Sequence, residues 1–101
     1  MQEVTIIKES SVLAVKLVGE IDSKNADEFY DAVLAAYTEA PRDIEFDCEE
    51  LAFIDSTTLG TFVKILKHAR EEGHTLKLKK LQPRLKKLFV ICALDAIMEI
   101  E

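Results

Sequence analysis

The spacing of apolar residues changes several times along the chain, and each change marks an element. Residues 4–7 and 12–18 are runs rich in β-branched side chains, separated by the polar stretch Lys8-Glu9-Ser10-Ser11. Two such runs around a short polar turn predict an antiparallel hairpin. After Gly19-Glu20-Ile21-Asp22 the period becomes helical: Ala26, Phe29, Tyr30, Val33, Leu34 and Tyr37 follow the i, i+3, i+4, i+7 spacing that places one apolar stripe on a helix. Asn25 followed three residues later by Glu28 predicts a capping box at its start, and Pro41 stops it. Asp43-Ile44-Glu45-Phe46-Asp47-Cys48 alternates polar with apolar, so a third strand should turn Ile44, Phe46 and Cys48 to the core. From Leu59 the stripe Leu59, Phe62, Val63, Leu66, Ala69 describes a second helix, ending near Gly73, where glycine tolerates the left-handed stop. Thr75-Leu76-Lys77-Leu78-Lys79 alternates again as a fourth strand. Pro83 suits the first turn of a third helix, whose buried face is Leu85, Leu88, Phe89 and Cys92. Residues 96–100 close the chain as a last short strand.

An opening β-hairpin followed by alternating strands and helices predicts an α/β fold, a mixed and mostly parallel sheet of four to five strands with helices packed on it. In open sheets of this kind functional groups gather in loops beyond the carboxyl ends of strands. Asp22 lies in one such loop. The run Phe53-Ile54-Asp55-Ser56-Thr57-Thr58-Leu59-Gly60 forms another, with an acid and three hydroxyls between a core strand and a helix.

Composition narrows the class. With 101 residues, 49% of them hydrophobic, the chain can build one core and one domain over residues 1–101. Three Gly and two Pro leave no linker or low-complexity segment. No apolar run approaches the ~20 residues of a membrane span, and Met1-Gln2-Glu3-Val4 lacks the basic start and apolar block of a signal peptide, so a cytoplasmic protein without membrane insertion is expected. Cys48 and Cys92 fit no metal spacing, are too few for a disulfide framework and fall on apolar stripes, which predicts two core thiols. The net charge of −6 hides an asymmetry: residues 1–63 hold 14 acids and 4 bases, residues 64–101 hold 5 acids and 9 bases. All nine of those bases lie between Lys64 and Lys87, several alternating with apolar residues as on a solvated face. The overall acidity argues against direct nucleic-acid binding.

The chain carries little of what an enzyme needs. Gly19, Gly60 and Gly73 are too far apart for a phosphate loop, and there is no Gly-x-Ser-x-Gly turn. His68 is about three helical turns beyond Ser56 and His74 stands in a turn, so both read as solvated surface residues. Asp22 and Asp55 are too few to hold a metal, no cofactor is expected, and Asp55 reads as a helix cap. Without a base Ser56 is a poor nucleophile, but it can receive a phosphoryl group, which adds roughly −1.5 to −2 charges where a helix N-terminus tolerates them. Thr57 and Thr58 lie at the same helix start and are alternative acceptors. The plainer alternative is that Ser56 and Thr57 only cap the helix.

The run Phe53-Ile54-Asp55-Ser56-Thr57 with Leu59-Gly60, together with Gly19-Glu20-Ile21-Asp22, Leu76-Lys77-Leu78, Pro83-Arg84-Leu85 and Leu94-Asp95, resembles the STAS domain of bacterial anti-sigma factor antagonists. The resemblance spans nearly the whole chain, with the Asp-Ser-Thr turn its most specific part. It implies a partner switch in which the unphosphorylated antagonist binds an anti-sigma factor serine kinase and so frees a sigma factor for transcription. The kinase then phosphorylates the residue matching Ser56, the antagonist lets go, and a PP2C-type phosphatase restores it. On that basis Asp22, Asp55, Ser56, Thr57, Thr58 and Gly60 form the expected docking surface. A STAS scaffold or subunit of a signalling or membrane transport assembly, with no phosphate on Ser56, is the alternative. Two positions depart from the family pattern. Thr58 stands where glycine is usual, and Cys92-Ala93 replaces a Thr-Gly pair at the end of the third helix. Many relatives continue into a further C-terminal helix past the position of Glu101, and an apolar patch left bare there would serve self-association.

Overall fold

The computed structural model describes residues 2–8 and 11–101. In chain order its elements are β1 (Gln2–Lys8), β2 (Val12–Ile21), α1 (Ala26–Glu39), β3 (Asp43–Ile54), α2 (Ser56–Glu71), β4 (Leu76–Lys79), α3 (Pro83–Ile91), a 3₁₀ turn (Leu94–Ala96) and β5 (Glu99–Ile100). The strands form a sheet in the order β1-β2-β3-β4-β5. β1 pairs antiparallel with β2, and the remaining neighbours are parallel, as the hairpin and the strand–helix alternation predict. Glu9 and Ser10 of the expected hairpin turn lie outside the described residues.

Period-two alternation decides which face of the sheet is covered. Leu13, Val15 and Leu17 on β2, Ile44, Phe46 and Cys48 on β3, and Leu76 and Leu78 on β4 are buried. Phe46 meets Phe29 of α1 with ring centroids 5.9 Å apart and Phe62 of α2 at 5.2 Å, while Phe62 touches Phe29 at 5.3 Å and Phe89 of α3 at 5.6 Å. One four-ring cluster thus joins the sheet to all three helices. The tilted and edge-on geometry adds about 0.5–1.5 kcal/mol per ring pair beyond area burial.

The alternate positions carry charge on the other face. Lys16 pairs with Glu50 at 2.7 Å, Lys77 with Glu101 at 2.7 Å and Lys79 with Glu45 at 3.5 Å. Each such surface pair contributes about 0–1 kcal/mol, and their main effect is to keep this face wet. Of these pairs only Lys79 with Glu45 joins a lysine of the basic second half to an acid of the first half; Lys16–Glu50 and Lys77–Glu101 each lie within one half.

Several elements differ locally from their predicted form. Strand β3 continues to Ile54, past a register irregularity opposite Gly19, whose φ of +87° suits the bulge. The capping box of α1 does not form. Asn25 makes no side-chain cap; its Oδ1 accepts from the Asp22 N–H at 2.8 Å and its Nδ2 donates to the Glu20 carbonyl at 3.0 Å. The amide folds its own loop instead of capping the first turn of the helix. Helix α2 begins three residues earlier than its apolar stripe, at Ser56, and buries Thr58, Thr61 and Ile65 as well as Leu59, Phe62, Leu66 and Ala69, with Val63 half-buried. Beyond it Gly73, at φ +82°, makes the expected left-handed stop.

Pro83 occupies the first turn of α3, and Leu85 and Phe89 are buried. Cys92 corrects the prediction of a core thiol. The helix stops at Ile91 and Ala93 turns left-handed at φ +59°, so the stripe loses its period and Cys92 is exposed, whereas Cys48 is buried. That turn, followed by the 3₁₀ segment, leaves only Glu99–Ile100 as the final strand.

Candidate functional site

Strands β2 and β3 run parallel and in register at their carboxyl ends, with Ile21 opposite Ile54. The loop after β2 and the start of α2 therefore emerge side by side. Asp55 occupies the junction in extended backbone geometry, φ −122° and ψ −175°, and its Oδ1 accepts the Thr58 N–H at 3.0 Å as a helix N-cap. Its other oxygen reaches across: the Ser23 N–H donates to Oδ2 at 3.0 Å. One carboxylate thus ties the Asp22 loop to the helix that carries Ser56. Partial burial pushes the Asp55 carboxyl up, but donors from the Thr58 N–H, the Ser23 N–H, the Thr58 hydroxyl and the Thr57 N–H outweigh it and hold its pKa below the usual aspartate value.

The Asp22 loop is itself hydrogen-bonded throughout. The Asp22 carbonyl accepts from Asn25 N–H at 3.1 Å and Ala26 N–H at 2.8 Å, and the Asp22 carboxylate accepts from the Lys24 N–H at 2.9 Å. Asp22 and Asp55, expected on adjacent loops, are indeed brought to one edge, linked through Ser23.

Of the three successive hydroxyls, Ser56 and Thr57 are exposed and Thr58 is buried at 0% exposure. Helical geometry explains the split, since successive residues are about 100° apart around the axis. The Thr58 hydroxyl bonds to the Ile21 carbonyl and to Asp55 Oδ1, so Thr58 is presented neither as a phosphate acceptor nor as a docking side chain, which corrects that part of the expectation. Gly60 is exposed one turn beyond Ser56, and open space surrounds the position where a Cβ would stand. Phe53, which opens the serine-bearing run, is 42% exposed at the end of β3, three residues before Ser56. Ser23, Asn25 and the Ile21 carbonyl hold the site together without standing out in sequence; the Asp22-x-x-Asn25 spacing, typical of polar turns, was the available signal.

The histidines sit at the far end of α2 from Ser56. His74 is half-buried and its Nδ1 bonds to the Tyr37 hydroxyl at 2.7 Å, while His68 is exposed with its ring edge-on to Tyr37 at 5.7 Å. His74 is thus more engaged than its sequence context predicts. Neither ring is placed to activate Ser56. No helix of the described residues is long and apolar enough to cross a membrane.

A five-stranded mixed sheet, three helices on one face and a capped serine at the carboxyl edge define the fold of a STAS domain, and the STAS family matches residues 3–101. The chain belongs to that family. Its relatives include the anti-sigma-B factor antagonist of Bacillus subtilis (strain 168), 34% identical over 88 residues that cover 87% of this chain and 80% of that protein. Among solved structures, an anti-sigma factor antagonist from Mycobacterium paratuberculosis superposes with a TM-score of 0.84 at 19% identity, covering 99% of this chain and 85% of that one. The Bacillus cell fate determinant SpoIIAA in its phosphorylated form superposes at 0.76 with 18% identity, covering 98% and 91%. At these identities the superpositions speak to the fold.

Proposed function

We propose that the chain is an anti-sigma factor antagonist, a binding protein rather than an enzyme, switched by phosphorylation of Ser56. Unphosphorylated, it docks an anti-sigma factor serine kinase through the edge built from Asp22, Asp55, Ser56, Thr57 and Gly60, and so releases a sigma factor for transcription. The kinase transfers a phosphoryl group to Ser56, the complex dissociates, and a PP2C-type phosphatase resets the switch. The observation that carries this reading is an exposed hydroxyl on the first residue of a capped helix, beside a second acidic loop. The names of the relatives support the same role.

The energetics favour a switch that spares the fold. A phosphate at the start of α2 is favoured by about 0.3–1 kcal/mol when exposed, so the domain stays folded. Burying the same dianion against a partner, next to Asp55 and Asp22, leaves charge uncompensated and costs several kcal/mol. Each ~1.4 kcal/mol is tenfold in affinity, which is enough to dissolve a firm complex. Thr57, also exposed, is the second candidate acceptor.

The test compares Ser56→Asp and Ser56→Ala with the parent in binding to the partner kinase. Ser56→Asp should keep the parent's circular dichroism and lose binding, and Ser56→Ala should bind and resist phosphorylation. A Ser56→Asp protein that binds as tightly as the parent overturns the proposal.

A further inference from the structure

Two residues beyond Ser56, one polar side chain faces inward. Thr58 is fully buried in the first turn of α2, where a glycine would make no side-chain contact at all. Its hydroxyl stands between two acceptors, the Ile21 carbonyl that ends β2 and Oδ1 of Asp55, and its single proton is held between them. The Asp55 carboxylate so gripped accepts the Thr58 N–H on the same oxygen and the Ser23 N–H on the other. Past Ser23 the loop closes on itself through Asp22, Lys24 and Asn25. An unbroken set of hydrogen bonds therefore runs from the end of β2 through Thr58 and Asp55 to the backbone of the Asp22 loop. Its inner part, from the Ile21 carbonyl through Thr58 to Asp55 Oδ1, is buried or half-buried, where hydrogen bonds reinforce one another, and it ends in an exposed bond at the Ser23 N–H.

We infer that Thr58 is a positioning residue, whose hydroxyl clasps the end of β2 to the start of α2 and holds the Asp22 loop in fixed register with Ser56. The inference rests on the reading of Ser56 and Asp22 as parts of one docking edge, and it assigns their alignment to a side chain that never reaches the surface. A rigid edge binds with less ordering cost than a loose one. It also confines the effect of a phosphate on Ser56 to added charge, because the loop beside it has little freedom to move aside.

Two measurements on Thr58→Val and Thr58→Ser test this. Valine keeps the shape and removes the hydroxyl, and serine restores it. In amide hydrogen exchange by NMR, Thr58→Val should speed exchange of the Ser23 N–H by about tenfold, the scale of one lost hydrogen bond, while a core amide such as Phe46 changes much less. Thr58→Ser should return Ser23 towards the parent rate. In the protein's own cells, the fraction of chain phosphorylated on Ser56 should fall severalfold in Thr58→Val and recover in Thr58→Ser. Unchanged Ser23 exchange in Thr58→Val overturns the inference. So does a rise shared equally by Phe46, which would mark general destabilisation, or a loosened loop with unchanged phosphorylation. If Thr58→Val does not fold, Thr58→Gly is read in the same way. A parent carrying no phosphate on Ser56 counts against the switch instead, and the exchange comparison still decides the clasp.

Discussion

Replacing Asp55 by alanine removes one carboxylate that serves two segments, and the cost can be worked bond by bond. Loss of the N-cap to the Thr58 N–H costs about 1 kcal/mol, within a range of 0.5–2. The Ser23 N–H loses its acceptor as well, but it lies at an exposed position where water replaces the carboxylate, so this adds only about 0.5–1 kcal/mol. The Thr58 hydroxyl keeps the Ile21 carbonyl and is not orphaned. The expected loss is therefore about 1.5–2 kcal/mol, which at a slope of roughly 1–1.5 kcal/mol/M lowers the urea midpoint by about 1–2 M. Asp55→Asn should lose less, because asparagine caps about as well as aspartate, yet it has a single acceptor oxygen and cannot serve both Thr58 and Ser23 as two carboxylate oxygens do. Acid supplies an internal control. The folded pKa of Asp55 is depressed, so its contribution is present above the unfolded value of about 3.9 and is lost as pH falls through the lower folded value. The gap between parent and Asp55→Ala should close below about pH 4. Urea unfolding followed by far-ultraviolet circular dichroism at neutral and acid pH reads all three quantities. An unchanged midpoint in Asp55→Ala, or an Asp55→Asn protein as unstable as Asp55→Ala, would show that the Asp55 carboxylate does not hold the two segments together.

Other consequences follow from the same packing. Ala93 holds φ +59°, a left-handed geometry costly for any residue with a Cβ, so Ala93→Gly should raise stability by about 0.5–1 kcal/mol despite glycine's freer unfolded chain, read as a higher urea midpoint. Phe62 is fully buried among Phe29, Phe46 and Phe89, and Phe62→Ala should cost about 3–5 kcal/mol by cavity formation, leaving little cooperative unfolding to measure. Burial, aided by the charge of Asp47, pushes the Cys48 thiol up to about 12, whereas Cys92 is exposed. A thiol reagent at neutral pH should therefore label one cysteine, Cys92, in the native protein and both after denaturation; labelling of Cys48 in the folded state would contradict the core packing.

Much of this architecture was legible in sequence because burial imposes period. The alternation of residues 43–48 and the stripe from Ala26 to Tyr37 each require one face to leave water, and the sheet and α1 honour them. The serine-bearing turn was legible for a different reason: an acid one residue ahead of successive hydroxyls, between a strand and a helix, has few uses other than a cap. What sequence could not supply was orientation and competition. Ser56, Thr57 and Thr58 look alike in a line, and only the helical twist turns the third inward. Asn25 carries the pattern of a helix cap but meets the Glu20 carbonyl and the Asp22 N–H in its own loop first. Cys92 fits the stripe of α3, yet the left-handed turn at Ala93 ends the helix before the stripe reaches it. The Ser23 to Asp55 bond spans 32 positions and has no local signature.

Intact-protein mass spectrometry of the chain isolated from its own cells, with fragmentation to locate any modification, bears most directly on the switch at Ser56. The expected spectrum holds a population heavier by one phosphate, mapped to Ser56 and removed by a PP2C-type phosphatase. A chain that carries no phosphate under any growth or stress condition, or that carries it at a residue away from the start of α2, would contradict it.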